Sequence, residues 1–154
     1  MVQRKDFGEF NNPAGVEILG QIKQRLDIRI AVESDADLAK IVEARLPLRA
    51  ITALVEHGLQ EKEIHSLVLP RRTLQHRRAR KERLSCEESD RAVRVARLAA
   101  LAEKVFGDAE AGMGWLRATK IRFKGRTPIE MMMTEIGSRV VEELLYQIDE
   151  GMAA

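Results

Sequence analysis

The sequence predicts an all-α fold. Apolar residues recur at three- and four-residue spacing through almost every segment, the period of a helix with one buried face. Helix-start signals stand at Ser34, Ser85 and Thr127, each followed three residues later by an acidic residue. The composition is 45% apolar and 32% charged with 4% aromatic residues, which suits an ordinary packed helical protein and not a disordered chain. With 154 residues the chain can bury a core and divides into one or two small domains.

The first fifteen residues are polar, and Asn11-Asn12-Pro13-Ala14-Gly15 is a loop signal. Val16, Leu19, Ile22, Lys23 and Leu26 mark a short amphipathic helix. Ile28, Ile30 and Val32 then alternate with Asp27, Arg29 and Ala31, which predicts an extended segment. Ser34 and Asp37 open a helix with Leu38, Ile41 and Val42 on its apolar face. Leu46-Pro47 closes it. Leu48, Ile51, Leu54 and Val55 make the buried stripe of the next, and Gly58 stops that one, because glycine readily takes the left-handed conformation past a helix end.

Ile64, Leu67 and Val68 give the following short helix its apolar stripe. Val68-Leu69 leads to Pro70, which suits the first position of a helix. Residues 70–83 then carry seven Lys/Arg and one Glu, a local charge of +6. The whole chain is only +2, so the remainder sums to −4. A solvated charge run is the ordinary meaning of such a block. Here the block begins at a proline, contains apolar Leu74 as an anchor, and follows a short helix and a tight turn. Helix, turn and basic helix is the arrangement of a helix-turn-helix, whose second helix lies in a major groove. Arg71, Arg72, Thr73, Gln75 and His76 are the candidates for base edges, since Arg pairs with guanine O6/N7 and Gln with adenine N6/N7. Arg77, Arg78, Arg80, Lys81 and Arg83 are placed for phosphates, which position the protein without reading sequence.

A hinge is expected near residues 83–85. Ser85-Cys86-Glu87-Glu88 is a capping box, and the helix it opens runs to about Phe106, ended by Gly107-Asp108. Between Val93 and Val105 that helix is apolar on more than one face, the mark of a bundle centre or an oligomer contact. Ala109–Arg117 reads as a short helix with Trp115 as a core anchor. Residues 120–125 form a basic loop. Thr127-Pro128-Ile129-Glu130 is a second capping box, and Met131-Met132-Met133 supplies adaptable side chains for a core or a binding surface. Ile136, Val140, Val141, Leu144, Leu145 and Ile148 carry a final helix to Gly151. From Thr127 onward six acidic residues face one Arg139, so the chain is basic in its middle and acidic at this end.

No catalytic constellation emerges. There is no phosphate-cradling Gly-rich loop and no nucleophile-base pair, so enzymatic activity is not expected. His57, His65 and His76 fall on three separate helices, as surface or capping residues. A single cysteine, Cys86, excludes an internal disulfide, and no cluster has metal-ligand spacing, so neither metal nor cofactor is expected. No signal peptide or membrane-spanning run is visible, which points to the cytoplasm.

The residues also carry a resemblance. Leu67-Val68-Leu69-Pro70-Arg71-Arg72-Thr73-Leu74, then Arg83-Leu84-Ser85-x-Glu87-Glu88-Ser89-Asp90-Arg91, Ala102-x-x-Val105-Phe106-Gly107-Asp108, Trp115-Leu116, Gly125-x-Thr127-Pro128, Thr134-Glu135-x-Gly137 and Gly151 resemble the Xre/MbcA/ParS antitoxin family. The likeness covers roughly residues 47–151. It departs after Trp115-Leu116, where members often carry a proline and small residues and this chain has Arg117–Lys124. It departs again at the methionine run, where a leucine-rich stretch is more common.

The resemblance implies a Cro/cI-like helix-turn-helix domain followed by a C-terminal helical toxin-binding domain. It implies a type II antitoxin that neutralises a RES-domain toxin degrading NAD⁺, binds operator double-stranded DNA and represses its own operon. Residues 1–46 would be a partly flexible N-terminal segment, residues 47–84 the DNA-binding region, and residues 85–154 the toxin-binding and dimerisation domain. Toxin contacts are expected from Glu135, Arg139, Glu142, Glu143, Tyr146, Asp149, Glu150, Gly151, Met152, Ala153 and Ala154, with the last few blocking the NAD⁺ site. A homodimer within a higher toxin–antitoxin assembly is expected. The competing readings are a regulator without a toxin and a module that binds only proteins.

Overall fold

The computed structural model describes residues 13–152, and everything said of the structure below is said of these residues. In order the helices are α1 (Pro13–Arg25), α2 (Asp35–Ala44), α3 (Arg49–Glu56), α4 (Glu61–Leu67), α5 (Arg71–Arg80), α6 (Cys86–Phe106), α7 (Ala109–Arg117), α8 (Pro128–Met131) and α9 (Glu135–Asp149), with a single 3-10 turn at Ile121–Phe123.

The longest helix, α6, is the axis. Its capping box forms as predicted: Ser85 Oγ accepts from the Glu88 amide at 3.1 Å and Glu88 Oε1 accepts from the Ser85 amide at 3.1 Å. Gly107 ends it in the left-handed conformation, φ 95°. Ala92, Ala96 and Ala100 recur every four residues and are fully buried, so neighbouring helices approach closely along that line. Val95, Leu98, Leu101 and Ala102 fill the other faces, and α1, α2, α3, α4, α7 and α9 all pack against α6. Of the two meanings a helix so apolar can have, the bundle centre holds. Its faces are covered within the chain, so they offer no spare surface for a dimer.

The N-terminal segment is part of this core from residue 13 onward. Ile18, Ile22 and Leu26 from α1 and its end, with Leu38 and Ile41 from α2, are buried. These residues are therefore held in the core, and the remainder of the segment expected to be partly flexible, residues 1–12, lies outside the described residues. Arg25 is buried as well and its guanidinium is bonded to Glu103 of α6. The apolar face of α1 is rotated from the one read in sequence, with Val16 exposed and Ile18 inward. The predicted extended segment at residues 28–32 forms no strand; Ile28 is buried but Ile30 is exposed. Alternation makes a strand only where another strand pairs with it, and none is present among the described residues.

The junction at residues 83–85 is clamped, not hinged. Leu84 is fully buried, and its N–H donates to the Leu46 carbonyl at 2.9 Å. The Leu46 N–H donates to Ser89 Oγ at 2.9 Å, and Arg45 Nε donates to the Leu84 carbonyl at 2.7 Å.

The C-terminal helical stretch is broken in two. Thr134 starts α9 anew, its side chain accepting from the Gly137 amide at 3.0 Å. Ser138 Oγ donates to the Met132 carbonyl at 3.2 Å across the break. Gly137 is required here, since a Cβ on it would lie 1.8 Å from the Met131 carbonyl oxygen. The break divides the methionines: Met132 is buried, Met131 packs against the core, and Met133 is exposed.

Candidate functional surfaces at the two ends of the central helix

The helix-turn-helix forms from α4 and α5. Gly58, at φ 108°, lets the chain leave α3, and the Gln60 amide donates to Glu63 Oε1 at 2.8 Å to start α4. Ile64, Leu67, Val68 and Leu69 are buried, and Arg91 of α6 donates to the Val68 carbonyl at 3.3 Å, holding the turn. Pro70 sits one position earlier than predicted, as the residue before the first helical one.

Leu74 is the one buried residue of α5, so the rest of the helix stands off the core. Arg72, Gln75 and Ala79 follow at helical spacing down the outward side, with Arg71 and Arg78 on one flank and His76 and Arg80 on the other. The side chains of Arg71, Arg72, Gln75, His76, Arg78 and Lys81 are exposed and have no hydrogen-bond or ion-pair partner among the described residues. Arg80 lies 3.9 Å from Glu82. Thr73 is half-buried beside Leu74.

Arg77 departs from its predicted role. Its side chain is only 18% exposed and turns toward α6. Nε and Nη2 donate to Glu88 at 2.6 and 2.9 Å, and Nη1 donates to Glu82 at 3.1 Å. Through these bonds Arg77 fixes α5 to the first turn of α6, so its guanidinium is turned away from the outward basic face of α5. Burial pushes the Glu88 carboxyl pKa up, but the hydrogen bonds from Arg77 and the Ser85 amide outweigh it and hold the pKa below the ordinary value.

The acidic residues of α9 do not gather on one surface. Glu135, Arg139 and Glu142 line a groove of about 570 Å³ against α2 and α6, which contribute Asp35, Arg94 and Arg97. Arg139 pairs with Glu135 at 2.7 Å, and exposed Tyr146 continues that side by one turn. Glu143 points elsewhere, sharing the outer side with Ile136, Val140 and Gln147. Asp149 is tied to Lys104 of α6 at 3.2 Å. Past Glu150, Gly151 takes φ 72°, its amide donating to the Ile148 carbonyl at 3.0 Å while the Met152 amide donates to the Gln147 carbonyl at 2.8 Å. This paired closure turns the chain off the helix axis, and Met152 is exposed. Ala153 and Ala154 lie outside the described residues.

The two ends are joined by one rigid element. Glu88 and Lys104, the anchors for α5 and α9, are separated by about 24 Å along α6 at 1.5 Å per residue. A second tie crosses the fold: Arg117, the last residue of α7, bonds to Glu63 of α4 and to the Gly58 carbonyl. Sequence reading missed this tie, because nothing local pairs residues so far apart. His57 and His65 bond to the carbonyls of Ala53 and Leu69. Trp115 is half-buried, stacked on Phe106 with the Lys120 ammonium 4.7 Å above its ring. Among the described residues no group of His, Cys, Asp and Glu could hold a metal, and no helix is long and apolar enough to cross a membrane.

Fold and surfaces together define a two-part helical protein: a helix-turn-helix with an uncovered cationic second helix, built on the same central helix as a second helical unit. Residues 37–97 match the model of the antitoxin Xre-like helix-turn-helix domain, and residues 101–151 match that of the antitoxin Xre/MbcA/ParS C-terminal toxin-binding domain. The chain belongs to the Xre/MbcA/ParS antitoxin family. It is also similar to a Pseudomonas putida protein named Antitoxin Xre, 42% identical over 101 residues that cover 66% of this chain and 64% of the relative. The two matched regions meet within α6, the helix to which both surfaces are anchored.

Proposed function

We propose that the protein is the antitoxin of a type II toxin–antitoxin system, neutralising a RES-domain toxin that degrades NAD⁺ and binding operator DNA to repress its own operon. One observation carries this reading: the uncovered basic face of α5 and the acidic end of α9 are fixed to opposite ends of α6. One protein can therefore hold a polyanion and a second protein at once. The toxin-binding description of residues 101–151 and the name of the relative support the same reading.

DNA binding falls to Arg71, Arg72, Gln75 and His76 for base edges and to Arg78, Arg80 and Lys81 for phosphates. Neutralisation falls to the chain after Gly151, which plugs the toxin's NAD⁺ site. A pocket for an anionic dinucleotide is cationic, and Glu150 brings a carboxylate beside the turn at Gly151. The acting unit is a homodimer in a larger assembly, since one recognition helix contacts few bases and two-fold dimers read inverted repeats. The protein acts by binding, in the cytoplasm, without catalysis of its own.

The test is NAD⁺ turnover by the toxin mixed with full-length chain or with a chain lacking residues 150–154. Truncation should restore turnover while a shift assay still shows operator binding by the truncated chain alone. Full inhibition by the truncated chain would place the inhibitory contact elsewhere on residues 101–149.

A further inference from the structure

The loop between α7 and α8 holds a second block of uncompensated positive charge. Residues 118–126 carry Lys120, Arg122, Lys124 and Arg126 and no acidic residue, a local charge of +4. None of the four is in an ion pair among the described residues. By contrast Arg94, Arg97, Lys104, Arg117 and Arg139 each meet a carboxylate. In the loop, Arg122 Nη1 donates to the neutral Gln147 side chain at 3.2 Å and Arg126 Nη2 to the Glu130 carbonyl at 3.1 Å, while Lys120 sits over the Trp115 ring. The Lys124 side chain has no partner among the described residues. The loop is built to hold its shape. Phe123 is buried and pins it to the core. The Lys120 N–H donates to the Arg126 carbonyl at 3.0 Å and the Gly125 N–H to the Lys120 carbonyl at 3.0 Å, closing the two ends on each other. Lys124 and Gly125 take φ 55° and 83°, which reverses the chain between them. Arg122, Lys124 and Arg126 are exposed on this closed loop. Like charges held together on a fixed loop repel one another, and an external polyanion relieves that repulsion.

We propose that this loop is a second DNA contact, in which Arg122, Lys124 and Arg126 hold phosphates of the duplex beyond the bases read by α5. It rests on the DNA-binding part of the reading above. Position favours DNA as the polyanion. In a helix-turn-helix the first helix crosses the DNA backbone. Here that helix is α4, and Arg117 is bonded to its Glu63 and to the Gly58 carbonyl just before it. The loop cations begin three residues after Arg117, at most about 10 Å of chain away. They are thus delivered beside the helix that meets the backbone, and not beside the base-reading side of α5. Cations so placed position a protein on the duplex without reading its sequence. The loop lies outside residues 37–97, so it extends the DNA surface past the matched helix-turn-helix domain. Its one exposed apolar side chain, Ile121, is too little to anchor the loop on a lipid surface.

The test uses the full-length chain and a duplex from the promoter of its own operon. The duplex is either trimmed to the two half-sites or extended at each end by about one helical turn, roughly 10 bp. On the extended duplex Arg122→Gln/Lys124→Gln/Arg126→Gln should bind about tenfold or more weakly, with the slope of log K against log salt reduced by about two to three units. Its preference for operator over a scrambled duplex should be unchanged. Trimming the duplex should weaken the wild-type chain and leave the triple variant unaffected. Lys124→Gln breaks no side-chain contact in the fold, and it should lower the slope by about one unit on the extended duplex. An unchanged slope for Lys124→Gln, or equal sensitivity to trimming in wild type and triple variant, would overturn the loop contact. Lost operator preference in the triple variant would overturn it too, since the loop would then act through the placement of α5. A triple variant that binds both duplexes as wild type does but no longer holds the toxin would assign the loop to the protein partner and overturn it equally. Failure of the wild-type chain to bind either duplex would overturn the DNA-binding reading itself, and the loop contact with it.

Discussion

Arg117 reaches from the end of α7 to Glu63 of α4, with Nη2 2.7 Å from Oε1 and Nε 3.0 Å from Oε2. The pair ties the first helix of the DNA-binding motif to the helix that follows α6. Glu63 is buried and also accepts from the Gln60 amide, so it has two tasks. Arg117→Ala leaves that carboxylate short of a partner in a poorly solvated site. The expected cost is about 1–3 kcal/mol, the penalty of leaving a buried polar group unsatisfied. Urea titration of both forms measures it, and an unchanged midpoint would show that water replaces the guanidinium freely.

The same geometry sets a pH dependence. Burial pushes the Glu63 and Glu88 carboxyl pKa values up, yet hydrogen bonds from Arg117 and Arg77 pull them further down, so both lie below the ordinary value of 4.5. A carboxyl with a depressed folded pKa stabilises the fold above its unfolded pKa and loses that contribution as pH falls through the folded value. Thermal stability should therefore be level near neutrality and fall progressively below about pH 4.5. A Glu63→Gln/Glu88→Gln chain should start less stable and show a shallower acid slope.

Arg77 and Arg78 are adjacent in sequence and should differ in effect. Arg78→Ala removes an exposed cation and should reduce the salt dependence of DNA binding by about one unit without changing sequence preference. Arg77→Ala removes the tie to Glu88 and should lower stability, with the salt slope nearly unchanged at temperatures where the chain is folded. Arg71→Ala or Gln75→Ala should relax sequence choice by about 1–3 kcal/mol per good bidentate contact. A shift assay over a salt series separates the three behaviours, and equal slopes for the Arg77 and Arg78 variants would undo the assignment.

Two glycines should resist substitution for steric reasons. A Cβ on Gly137 meets the backbone of Met131, and one on Gly112 lies 2.7 Å from the Glu103 backbone nitrogen, where α7 crosses α6. Both clashes are with backbone, which cannot swing away. Gly137→Ala and Gly112→Ala should each cost about 1–3 kcal/mol or more. Gly114→Ala, with open space around the added methyl, is the control and should cost little.

Local chemistry is what the sequence determined by itself. The caps at Ser34, Ser85 and Thr127 form because each is satisfied within one turn, and the glycine stops at Gly58, Gly107 and Gly151 depend only on backbone freedom at those positions. The all-α class and the basic second helix of the motif follow from periodicity and charge, which are also local. Tertiary structure decided which face of each element is used. The apolar excess of α6 is spent inside the chain because six helices surround it. Arg77, one cation among seven in its block, is drawn inward because Glu88 lies across the turn from it. Ile136 and Val140 look like the core residues Val141 and Leu145 in sequence, and only the packing of α9 on α6 leaves them facing outward. Periodicity gives a helix two sides, but which one meets the core is settled by what the rest of the chain brings against it.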